Sequence, residues 1–200
     1  MKVRDYYKWL KDNWAQTGLI LSLYLSVFSF IFIRENNFPA FLIIIQTPLY
    51  MIHESEEYLF PGGFKHFFNY HIFKIEDEKG ALDKNFIFFV NVVLIWVILP
   101  LFGLLSIKNL SFGLWIPYFS LFAGFAHILL GIKSRKLYNP GLIVSLFLNI
   151  PVGIFVIFYF FNNGILNNLF LNFHFLIGFL LNLSLPIAGK IIYERYKKKN

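Results

Sequence analysis

Residues 38–60 read FPAFLIIIQTPLYMIHESEEYLF. From Phe38 to Ile52 the stretch carries no charge, and His53, Glu54, Ser55, Glu56 and Glu57 then follow in succession. An apolar run of this length is membrane-helix material. Three carboxylates and an imidazole at its end are costly there, and intramembrane ionisable groups mark functional sites. On a helix His53, Glu56 and Glu57 stand at i, i+3 and i+4, so they project from one face. Gln46 falls on the same stripe, seven residues before His53.

The rest of the chain agrees with a lipid setting. Hydrophobic residues make up 58% of the 200, only 14% are charged, and mean hydropathy is +0.61, which a soluble domain could not cover with polar surface. The apolar runs are continuous rather than alternating with period two, which favours helices over a β-barrel. The absence of cysteine removes disulfides, thiolate nucleophiles and Cys-based metal sites. No GxSxG, P-loop or dinucleotide fingerprint is present.

The expected fold is an all-α integral membrane protein, a single transmembrane domain over residues 1–200. It has six transmembrane helices, at about 15–33, 38–60, 85–106, 112–132, 140–161 and 165–189. The first is read as a retained helix, because Arg34-Glu35-Asn36-Asn37 follows it rather than a small-residue cleavage site. Trp9 and Trp14 are placed like interface anchors. Pro48 removes a helix hydrogen bond and should loosen the backbone before His53. Pro61-Gly62-Gly63-Phe64 is a turn, leading into a polar segment that carries His66, Asn69, His71, Glu76, Asp77 and Glu78. Asn162-Asn163-Gly164 is read as a hairpin turn. The N-terminus, the 61–84 segment, the 133–139 loop and the tail after Gly189 hold 16 of the 18 Lys/Arg, whereas the alternate loops hold only Arg34 and Lys108. By the positive-inside rule both termini are cytoplasmic, and the chain belongs in the cell (inner) membrane. The net charge of +7 is therefore a topology and lipid-surface signal, Lys197-Lys198-Lys199 included, and not a nucleic-acid site.

With that orientation His53 and His127 each lie about 22 Å below the outer ends of their spans. Asn91, Asn182 and the Tyr138-Asn139-Pro140-Gly141 segment reach the same level. Ser120, Ala123, Gly124 and Gly131 share the face of His127, and small residues let transmembrane helices approach closely, so His127 should point inward.

Together these residues carry a family resemblance. His53-x-x-Glu56-Glu57 is followed by Tyr58, Pro61-Gly62-Gly63-Phe64 and Phe68-Asn69, then by Asn91, the lone His127 and Tyr138-x-Pro140-Gly141. Over about residues 40–145 the chain resembles the HXXEE domain family of bacterial multi-pass membrane proteins. The resemblance implies a membrane protein and brings no reaction with it.

Crowded carboxylates repel, and a cation, a proton or water must relieve them. In the metal reading His53 and Glu57 stand at the i, i+4 spacing of two-ligand helices, His127 is a third ligand, and Glu56 is a ligand or general base. Such an N/O set suits a divalent ion, Zn, Fe or Mn, that activates water for hydrolysis near the headgroups. Tyr138 is a further catalytic candidate, able to orient a headgroup, and Asn91, Asn182 and Gln46 are candidates to support the ligands. The partners expected are membrane lipids and an amphiphilic or lipid-linked substrate. The alternatives are a small proton-coupled carrier or a non-enzymatic assembly subunit, and a bland arrangement in which the carboxylates simply reach cytoplasmic water. Glu54 is expected as an interfacial acid, His66 and His71 as solvated loop residues, and His174 as a mid-membrane hydrogen-bonding residue.

Overall fold

A computed structural model describes residues 3–76 and 80–199; Asp77 and Glu78 of the polar segment lie outside the described residues. The chain forms α1 (Val3–Ile33), α2 (Phe38–Ile44), α3 (Gln46–Tyr58), α4 (Phe64–Phe67, prolonged by a π turn over Phe68–Ile72), α5 (Lys84–Leu105), α6 (Leu110–Ser134), α7 (Leu142–Asn162) and α8 (Phe173–Lys197). No strand occurs among the described residues. Five of these helices, α1 and α5 to α8, are long and apolar enough to cross a membrane, and the protein is a helical membrane protein.

Local chemistry sets the boundaries. Asn37, Asp83 and Asn172 cap α2, α5 and α8 by accepting from the N–H of Ala40, Phe86 and Phe175. The run expected as one second span is two helices that meet at Ile45. Pro48 is the cause: it offers no N–H to the Ile44 carbonyl, and its ring crowds that carbonyl. In α5 and α7 a π turn (Val92–Ile98, Ser145–Asn149) ends two residues before Pro100 and Pro151, and the widened turn makes room for a residue without an N–H.

Two boundaries differ from expectation. α1 is already helical from Val3, with a kink at Asn13, and Trp14 is buried against Tyr58 (ring centroids 4.9 Å). α8 begins at Phe173, not Ile165, so the connection after α7 is an irregular segment and not a tight hairpin. His174 therefore sits in the first turn of α8 rather than mid-helix.

The α2–α3 pair is the centre of the bundle. Nearly every residue from Ala40 to Met51 is buried, and α3 packs most extensively on α1. The small face of α6 is buried as expected: Gly124 receives Ile150 of α7, and Gly178 of α8 lies against Tyr118 and Phe119 of α6. Apolar side chains on the outside of α1, α5, α7 and α8, such as Leu23, Phe89, Phe147 and Leu180, are left exposed, as lipid-facing surface requires.

Candidate metal centre

α3 carries the acidic stretch into this enclosed position. His53, Glu54, Ser55, Glu56 and Glu57 are all buried, so the arrangement in which the acids simply reach water is not the one found. His53 and Glu57, one turn apart, face α6 and meet His127. Glu57 Oε1 lies 3.7 Å from His53 Nε2 and 3.4 Å from His127 Nε2. The two imidazoles stand edge to face with centroids 4.7 Å apart. One ligand atom from each of the three residues falls within 4.8 Å of the others, a group that can hold a metal ion.

The segment before α7 fixes His127. Asn139 donates from Nδ2 to the His127 carbonyl (2.9 Å), which leaves its Oδ1 facing His127 Nδ1 at 2.8 Å. An amide oxygen only accepts, so His127 donates from Nδ1 to Asn139, and its Nε2 faces Glu57. Gly141 adopts φ +98°, and a Cβ there would overlap the His127 ring. Ser145 Oγ stands 3.4 Å from His53 Nδ1. Neither Asn139 nor Ser145 is singled out by sequence reasoning. The only signal for Asn139 is its place between Tyr138 and Pro140-Gly141.

Glu56 turns away from this group. Its carboxylate accepts from Tyr138 Oη (3.1 Å), Ile143 N–H (3.1 Å) and Val144 N–H (2.7 Å), so it caps the N-terminus of α7, where negative charge is favoured. That occupation corrects the expectation of Glu56 as ligand or base. Tyr138 is engaged in the same cap. Burial first, and then the Glu56 charge, push its hydroxyl well above the ordinary range, so it stays a neutral donor. Gln46 lies about 10 Å along the helix from His53 and donates to the Leu42 carbonyl (3.5 Å); the structure does not bring it to the centre.

Asn91 and Asn182 do reach the centre's surroundings. With Glu57, Tyr58 and His127 they line a cavity of about 740 Å³ whose other walls are mainly apolar. Asn91 donates to the Ile87 carbonyl (2.8 Å) and to Tyr58 Oη (3.4 Å). Glu54 is no interfacial acid. It is buried beside the Trp96 indole, and neither its oxygens nor Trp96 Nε1 reaches standard hydrogen-bond geometry. His66 stacks on Tyr70 (5.6 Å), and His71 packs on Phe67 and Tyr70, away from the centre. His174 Nδ1 is buried without a partner among the described residues.

Neither a curated protein nor a solved structure matches this chain. The family model described as a protein of unknown function with HXXEE motif matches residues 44–156, more than half of the chain. That range begins just before α3 and ends within α7, so it takes in His53, Glu56, Glu57, His127 and the 138–145 segment. The chain belongs to the HXXEE family.

Proposed function

We propose that the protein is a metal-dependent hydrolase of the inner membrane, acting on an amphiphilic or lipid-linked substrate from the cytoplasmic leaflet. The observation that carries this reading is the convergence of two imidazole Nε2 atoms on one carboxylate oxygen, with the Nδ1 proton of His127 already committed to Asn139. Both Nε2 atoms face the same Glu57 oxygen, so a proton on each ring or one shared cation must lie between them. One divalent ion would satisfy all three atoms at once.

Two histidines and one carboxylate suit Zn, Fe or Mn, and three protein ligands leave a position open, as catalytic sites do. Bound there, the ion supplies Lewis acidity and a water activated near neutral pH. The chain does the rest. Asn139 and Gly141 hold the His127 ring in its orientation. The apolar cavity walls exclude bulk water, and Asn182 offers an amide toward a substrate oxygen. Glu56 and Tyr138 hold α7 in register with α3 and take no proton in this scheme.

Metal analysis of protein purified in detergent tests the reading. Wild type should carry stoichiometric metal, and Glu57→Gln, which keeps the shape of the side chain, should lose it while remaining folded. A folded wild type that takes up none of Zn, Fe(II) or Mn(II) would leave the carrier or assembly subunit as the better account.

A further inference from the structure

The 740 Å³ cavity beside the centre changes character along its length in the same direction on two helices. On α6 its wall runs from Ala123 and Ala126 past His127 to Lys133; on α8 it runs from Asn182 and Leu183 past Pro186 to Lys190. The part away from the lysines is walled by Tyr50, Val90, Ala123, Ala126 and Leu183, whereas Phe68 and Phe73 lie nearer the basic end, against Gly189 and Tyr193. The rim residues Leu129 and Ile187 are 64% and 51% exposed, so the cavity reaches the lipid-facing surface between α6 and α8. Neither Lys133 nor Lys190 forms an ion pair among the described residues; Glu194 also lines this end and leaves it net positive. The volume suits one ligand of about 300–1,000 Å³.

We infer that the cavity captures a single-chain amphiphile with an anionic headgroup. The chain lies in the part walled by Val90, Ala123, Ala126 and Leu183, and the anion lies against Lys133 and Lys190. Entry is lateral, from the bilayer between α6 and α8. Lys133 follows His127 by six residues, about 9 Å of helix rise. The bond presented to the centre therefore lies between chain and headgroup, roughly 9 Å short of the anionic group. Only this last placement rests on the metal reading; capture of the ligand does not.

Native mass spectrometry of the detergent-purified chain tests the capture. The probes are oleoyl lysophosphatidate, oleoyl lysophosphatidylcholine, monooleoylglycerol and chainless glycerol phosphate, on wild type, Lys133→Gln/Lys190→Gln, Ala126→Phe and Glu57→Gln. The anionic single-chain probe should bind best. Replacing the two lysines should weaken it by about tenfold relative to the zwitterionic probe, and Ala126→Phe should block all three chained probes. Glu57→Gln should still bind while carrying no metal, which separates failure of the metal centre from failure of the cavity assignment. Equal binding of the three chained probes, indifferent to the lysines, overturns the headgroup assignment. Glycerol phosphate binding as tightly as the lysophosphatidate overturns the chain assignment, and undiminished binding to Ala126→Phe overturns the location.

Discussion

Asn139 spends both ends of its amide on His127, one on the ring and one on the backbone carbonyl. Partners of this kind, behind a ligand, orient it and typically affect metal affinity by 10–100-fold. Asn139→Ala should therefore weaken metal binding by about that factor, measured by competition with a chelator. Asn139→Asp, which keeps an acceptor for Nδ1–H, should recover most of the loss. Equal losses in both variants would show that the backbone contact, not the ring contact, matters. Gly141 works on the same ring by leaving room. Alanine there meets both an unfavourable φ of +98° and the imidazole itself. Gly141→Ala should cost about 1–3 kcal/mol of stability from the backbone alone and displace His127. A thermal unfolding curve in detergent and the bound metal content should thus fall together, and an unchanged metal content would refute the steric role.

Between elements, the adjacent acids Glu56 and Glu57 serve different helices. Glu56 ties α3 to the start of α7 through two backbone N–H groups and Tyr138, while Glu57 ties α3 to α6 through His127. Glu56→Gln should keep its metal yet lose thermal stability, by about 1–3 kcal/mol for charged hydrogen bonds that become neutral or unmade. Glu57→Gln should lose the metal, and with it the stability that the bound ion contributes. Loss of metal in both would return Glu56 to the ligand set. The apolar runs, the break prepared by Pro48 and the inward face of α6 were legible in the sequence, because hydropathy, proline and small-residue spacing act over one or two turns. The division of labour between Glu56 and Glu57 was not, because it depends on backbone N–H groups 87 and 88 residues away. The start of α8 was misplaced for a related reason. Ile165, Leu166 and Leu169 are apolar because they pack on the core as irregular chain, and hydropathy does not separate that from helix. The cap at Asn172 was the local signal that marks the true start.

For the molecule as a whole, contacts gather the basic segments at one end. Tyr7 packs on Phe88, Asp12 pairs with Lys84 at 3.4 Å, and Phe73 stacks on Tyr193, so the start of α1, the segment before α5 and the end of α8 lie together. Asn37 bonding the Ile107 carbonyl and Tyr118 bonding that of Leu169 join loops at the other end. Termini at one end require an even number of crossings. The expected six crossings would take the α2–α3 pair as the sixth beside the five long helices, and residues 38–58 supply about 31 Å of helix rise against a hydrocarbon core of about 30 Å. Being enclosed by the other helices, that pair can be broken at Ile45 and carry acids where a lipid-facing helix could not. The lack of native cysteine makes the arrangement directly measurable with single introduced thiols. In intact cells an impermeant maleimide should label Lys108→Cys and Asn163→Cys, and should label Lys136→Cys and Lys198→Cys only after the membrane is opened. The reverse pattern would place the metal centre in the outer leaflet and put the basic cavity mouth on the wrong side for a cytoplasmic substrate. Labelling of Lys198→Cys together with Asn163→Cys in intact cells would mean that α8 does not cross, and the cavity between α6 and α8 would lose its lateral door.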